Sequence, residues 1–361
     1  MFCIPSSDWN GDVVFWGHGY VDVTQPLGFY NLSAADLEIP QIVQQVGFAF
    51  ATTSYRQNGL AILEGVQDVQ ELVIAYRNLP AVQARGVGHS YMLGGSEGGL
   101  ITTLLIEQHP ELFNGGVAAC GPIGDFLAQL KYIGDFRVLF DYFFPNVIPG
   151  DPSNIPAEVM TNWFSKYVPK IRAAVAANPG NAAQLIKVSR APTDPADPST
   201  VETTIEHVLW YSAFSTNDAA QKLGGNAYSN RGVVYSGSND DARLNANVQR
   251  FTADPRALAT VRRYQTSGVL LRPLVTLHTT EDPIIPIWHE PLYANKVAAT
   301  GTKANLTQFS VSRYGHCNVN AGEALFSFGV LLFQTLGSQP AALSRRSDVQ
   351  RARAAVTRQG P

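Results

Sequence analysis

The chain has 361 residues, 45% of them hydrophobic, a net charge of −3 and three cysteines. That length can bury one large core plus an insertion. With no basic stripe and no run of about 18 apolar residues, nucleic acid is not an expected partner and no membrane span is expected.

Met1–Asn10 lacks the basic and long apolar regions of a signal peptide and reads as the end of a strand running into a turn. The natural chain is expected to begin earlier, so the compartment stays open, a secreted or periplasmic origin included. Asp12–Gly17 is a short apolar strand ending in His18-Gly19-Tyr20. Ser33, three residues ahead of Asp36, offers a capped helix start over Ser33–Glu38. Val46–Ser54 reads as a second buried strand, followed by a loop containing Tyr55 and Arg56. Val66, Val69, Leu72, Val73 and Tyr76 give Ile62–Asn78 helical spacing.

Next comes Gly94-Gly95-Ser96-Glu97-Gly98, a G-x-S-x-G between a strand-like segment and the helical run Leu100–His109. Strand, tight glycine turn, serine and helix make a nucleophile elbow. Serine at so sharp an apex sits in strained backbone, and Gly94 and Gly98 lack the Cβ atoms that would clash there. A plain glycine turn is the alternative. Phe113–Cys120 is a further strand.

Strands alternating with helices at these intervals predict a mostly parallel, doubly wound α/β sheet. From 123 to 266 the alternation stops. Helical stretches over 126–144, 157–177 and 201–214, rich in aromatic residues, are separated by Pro/Asp-rich breaks. This segment reads as a mainly helical insertion. The rhythm resumes with a strand over 268–278, a helix over 286–297, a strand over 306–312 and a helix over 321–336. The expected organisation is therefore a core of 1–122 and 267–337, an insertion of 123–266, and a loosely ordered tail of 338–361, which has few large apolar residues.

A serine nucleophile needs a base and an acid to orient that base. Doubly wound folds place their chemistry at the carboxyl ends of strands. Asp282, after the 268–278 strand and before Pro283, is the acid candidate, with Glu281 the alternative. His316, in the loop between the last strand and last helix, is the base candidate, with His289 second. His89 and His278 read as structural, and His109 as a helix cap. The order Ser96, Asp282, His316 is that of a triad on this kind of sheet. The backbone N–H groups of Glu97 and Tyr20 are the oxyanion donors, with His18 and Gly19 letting the early loop approach. Cys120 and Cys317 are expected near the site's rim, paired as a disulfide or held as two buried thiols.

With these residues in place the chain resembles the alpha/beta-hydrolases, in a form with a large lid. The resemblance covers roughly 11–122 and 268–336. Gly99 and the Asp282-Pro283 to Pro286 pattern are also similar to secreted bacterial esterases and prolyl-oligopeptidase-like hydrolases. Gly95 stands where tannase and feruloyl-esterase relatives carry a cysteine. The resemblance implies a triad of Ser96, Asp282 and His316 and hydrolytic chemistry without metal or organic cofactor. The expected substrate is a small ester with hydrophobic or aromatic parts, cleaved through an acyl-enzyme. A peptidase or amidase, and a non-catalytic binding protein on the same fold, are the alternatives. Tyr55 and Arg56 are candidates for the substrate pocket, Arg56 through a substrate carboxylate or, alternatively, a structural ion pair. Gly237–Asp241 reads as a loop into a helix cap rather than a metal loop. The oligomeric state is not readable.

Overall fold

A computed structural model describes residues 1–34 and 37–336. The tail expected over 338–361 lies outside the described residues. The sheet is built from β1 (Phe2–Cys3), β2 (Val13–Gly17), β5 (Ala49–Thr52), β6 (Ser90–Gly95), β7 (Gly115–Ala119), β8 (Leu274–Glu281) and β9 (Leu306–Tyr314). The seven strands lie in the order β1-β5-β2-β6-β7-β8-β9. β1 runs antiparallel to β5, and every other pairing is parallel.

Strand alternation sorts the side chains onto two faces. Val13, Phe15, Ala49 and Ala51 join one buried cluster, with α2 (Ile62–Arg77), α4 (Glu97–Gln108) and α12 (His289–Ala299). Val14, Phe48 and Phe50 join the other, with α1 (Ile39–Gln45) and α13 (Ala321–Leu336). Helices thus cover both faces, and the serine turn closes the central strand β6. This is the alpha/beta-hydrolase arrangement.

Ser33–Glu38 does not open a helix. Ser33–Ala34 (β3) pairs with Leu37–Glu38 (β4), and α1 begins at Ile39. Pro40 suits the first helical turn, where its missing N–H costs nothing. A short α3 (Pro80–Arg85) follows α2.

Between β7 and β8 runs a helical segment: α5 (Phe126–Phe143), α6 (Ala157–Thr161), α7 (Val168–Ala177), α8 (Pro179–Ser189), α9 (Thr200–Leu223), α10 (Asp241–Asn247) and α11 (Pro255–Val261). A π-turn over Trp163–Tyr167 leads into α7. Asp125 caps α5 by accepting from the Ala128 amide, and Gly224 ends α9 in the left-handed region at φ 77°. Phe136, Phe140, Trp163, Ile171, Leu185 and Leu209 are fully or nearly fully buried and form this segment's own core. Ile284 and Ile285, which follow β8, belong to the same cluster, so the insertion is packed onto the loop after Asp282.

Candidate active site

Ser96 sits at φ 57° and ψ −123°, a conformation disfavoured for any residue with a Cβ. Such backbone costs about 1–3 kcal/mol and persists only where its surroundings over-determine it. They do here. The Ser96 amide donates to the Ala119 carbonyl on β7 at 2.9 Å. A methyl on Gly98 would run into the carbonyls of Gly17 and His18, and one on Gly94 into the Gly98 carbonyl. These glycines let α4 press directly on β2 and β6.

Ser96 Oγ lies 2.8 Å from His316 Nε2, and His316 Nδ1 lies 2.7 Å from Asp282 Oδ2. With Nδ1–H donating to the carboxylate, Nε2 is free to accept the serine proton. Asp282 is fully buried, and its Oδ1 accepts from the amides of Ile284 and Ile285 at 2.9 and 3.0 Å. Burial alone would push this carboxyl up. The charges and hydrogen bonds of His316 and His278 outweigh it and hold the carboxyl at about 2. Glu281, the alternative acid, accepts from the Thr280 hydroxyl instead. His289, the alternative base, is buried between the Gly124 amide and Gln129.

The early loop reaches the serine. A Cβ on Gly19 would lie 3.2 Å from Ser96 Cβ. His18 Nδ1–H donates to the Gly19 carbonyl at 2.8 Å, and the His18 ring stacks on Tyr55 at 3.9 Å. Asn31 Oδ1 accepts the Gly19 amide at 3.1 Å. The amides of Tyr20 and Glu97 have no protein acceptor among the described residues. They are therefore available to an oxyanion.

Cys120 and Cys317 form a disulfide with Cα atoms 5.4 Å apart. It ties the end of β7 to the residue after His316, and Cys317 Sγ is 3.9 Å from His316 Nε2.

Two cavities meet at Ser96. One, of about 130 Å³, runs under the insertion and is walled by Leu60, Ile62, Phe126, Ile133, Leu223 and Ile285. The other, of about 880 Å³, is a mouth lined by Trp16, Asn31, His207, Trp210, Tyr314 and Asn318. Tyr20, Ser96, Tyr211 and Ile284 border both.

Tyr55 and Arg56 line neither cavity. Tyr55 is buried beneath His18, with its hydroxyl donating to the His18 carbonyl at 3.3 Å. Arg56 is turned away, held by Asp68 at 2.5 Å and Glu71 at 2.9 Å. Its ordinary partner is the ion pair, because α2 places those two acids beside the loop. At Gly237–Asp241, Asp240 caps α10, while Asp241 accepts from the Gly237 and Ser238 amides. Asn31, His278 and Glu290 are site neighbours that sequence reasoning did not single out as part of the site. Their roles depend on contacts between separate elements, which no local spacing encodes.

No protein-family model matches the chain, and no curated protein matches it in sequence. Solved structures similar to it include Pyrococcus horikoshii acylaminoacyl peptidase, at 12% identity, over 95% of this chain and 41% of that one, with a TM-score of 0.48. Aspergillus oryzae feruloyl esterase B is 18% identical over 86% and 69%, with a TM-score of 0.42. Candida antarctica lipase A in its closed state is 12% identical over 94% and 74%, with a TM-score of 0.48. The chain spans about two-fifths of the length of the acylaminoacyl peptidases. Likenesses this distant carry no argument about activity, which rests on the geometry of the site.

Proposed function

We propose that the protein is a serine hydrolase cleaving carboxylic esters through an acyl-enzyme on Ser96. The observation that carries this reading is the unbroken hydrogen-bonded line from Ser96 Oγ through His316 to Asp282, at 2.8 and 2.7 Å.

In the proposed cycle Ser96 attacks the ester carbonyl as His316 Nε2 takes its proton. Asp282 holds the imidazole in the useful tautomer and stabilises its charged form. The amides of Tyr20 and Glu97 stabilise the tetrahedral oxyanion. His316 then returns the proton to the leaving alcohol. Water, activated by the same imidazole, releases the acid.

The cavity shapes favour a division of the substrate. An acyl group with hydrophobic or aromatic character enters the cavity under the insertion, which acts as a lid. The alcohol leaves through the wider mouth. A peptidase would need an anchor for a charged peptide terminus. Arg56 is already committed to Asp68 and Glu71, which favours the ester reading.

The test is hydrolysis of p-nitrophenyl esters of graded acyl length by the wild type and by Ser96→Ala. The variant is expected to lose at least about 10⁴-fold in kcat. Equal activity in both proteins would overturn the reading. Faster turnover of aminoacyl p-nitroanilides than of esters would transfer it to the peptidase class.

A further inference from the structure

Behind Asp282 lie two buried histidines with opposite hydrogen-bond surroundings. His289 Nδ1 accepts from the Gly124 amide at 3.0 Å, and its Nε2–H donates to Gln129 Oε1 at 3.0 Å. One acceptor and one donor describe a neutral ring. His278, on β8, is also fully buried, but both of its nitrogens face acceptors. Nε2 lies 2.7 Å from the Ile285 carbonyl and 3.6 Å from Asp282 Oδ2. Nδ1 lies 3.2 Å from Glu290 Oε1. Glu290's other oxygen already accepts from the Thr276 hydroxyl and the Gln308 side chain. A neutral His278 would leave a lone pair pointed at an oxygen lone pair in a fully buried site. A ring protonated on both nitrogens satisfies every contact.

We propose that His278 is a positioning residue for the triad: an imidazolium clamped by Glu290 against Asp282, which fixes the 282–285 turn and opposes protonation of His316. The proposal rests on Ser96, His316 and Asp282 being the catalytic triad. Burial pushes the His278 ring toward neutrality, yet the Asp282 and Glu290 carboxylates overcome this and bring it up to about 10. The same burial, with the His278 charge adding to it, drives His289 well down.

Two effects follow. Nε2–H on the Ile285 carbonyl holds the turn whose Ile284 and Ile285 amides cradle Asp282. A positive charge on His278, which faces the same Asp282 Oδ2 as His316 (3.6 and 2.7 Å), also disfavours a second positive charge there. The ionisable groups around this pair are Asp282, Glu290 and His289, with Tyr132 donating to the Pro283 carbonyl. On the His316 side they are His207 and Tyr211 of α9 and Tyr314 of β9.

The test is the pH profile of kcat/KM for p-nitrophenyl butyrate with His278→Gln, which keeps a donor but removes the charge. The acid limb is expected to move up by on the order of one pH unit. In His278→Gln/Glu290→Gln, where the bare carboxylate is gone too, it should move back toward wild type. A purely structural His278 would lower activity at all pH values without moving the limb, and that result would overturn the proposal. Where His278→Gln does not fold, ¹⁵N-histidine spectra of the wild type decide. Both ring nitrogens of His278 should stay protonated from pH 6 to 9, and a neutral ring at pH 7 would overturn the idea. Those spectra do not depend on activity, so failure of the hydrolase reading itself, seen as full activity in Ser96→Ala, is distinguishable.

Discussion

Glu97 serves the site twice. Its amide is a candidate oxyanion donor, while its side chain lines the apolar cavity and is buried. Glu97 Oε1 accepts the Ala61 amide at 2.6 Å. Burial outweighs that bond and the charge of Lys222, and pushes the carboxyl up to about 8. A carboxyl raised on folding contributes stability that is complete below its unfolded value and is lost as pH rises through the folded one. Gln in its place can still accept the Ala61 amide and does not titrate. Glu97→Gln should therefore match wild type in urea unfolding at pH 4.5 and exceed it by about 4 kcal/mol at pH 9. An unchanged difference across that range would mean that the carboxyl is not desolvated. At this scale Ser96, Asp282 and His316 were legible because each closes or follows a strand, where this kind of sheet gathers its chemistry. Tyr55 and Arg56 were not. Their position after a strand was readable, but the direction of each side chain is set by His18 and by two acids on α2.

The elements hold these residues together across long stretches of chain. β7 ends at Ala119, whose carbonyl takes the Ser96 amide, and the next residue is disulfide-bonded to Cys317. Both cysteines adopt positive φ, 45° at Cys120 and 50° at Cys317. The bond closes a loop of 197 residues that contains the whole insertion. On chain-entropy grounds a loop of this size is worth about 5 kcal/mol. Cys120→Ser/Cys317→Ser should lose stability of that order in urea unfolding. It should also lose turnover, because the residue beside the base is no longer anchored to the strand beside the nucleophile. Stability and kcat that both survive the double substitution would make the bond incidental to the site. The long elements were legible here. α13 spans Ala321–Leu336 as its spacing predicts, and α5 differs from expectation by a residue. The hairpin at Ser33–Glu38 was not, because its Ser-x-x-Asp spacing imitates a helix cap. Short helices such as α8, α10 and α11 were missed because seven to eleven residues carry too few turns to show a period.

At the scale of the molecule, the proposed function gives chemistry and selectivity to different parts of the chain. The sheet carries Ser96, Asp282 and His316, while α5 and α9 of the insertion supply much of the cavity wall. Aromatic richness announced the insertion, but most of those rings are its own core. Phe136, Phe140 and Trp163 are buried in it, and fewer, such as Phe126 and Tyr211, reach the cavity. Sequence alone could not sort the two groups, since both obey the same helical spacing. α9 shows how the wall is made. Ala219, Ala220 and Leu223 present small or aliphatic side chains to the cavity from its last turns. Small residues there leave the length that an acyl chain would use. Ala220, only partly buried, can take a larger side chain toward that space without displacing the sheet core. Ala220→Trp should therefore leave acetate and butyrate esters turning over within about threefold of wild type. Octanoate and longer esters should lose about 10- to 100-fold in kcat/KM, the cost of excluding a few buried methylenes. Equal losses across the acyl series would mean that the chain does not enter beneath α9. A loss confined to bulky alcohols would place the acyl group in the mouth instead.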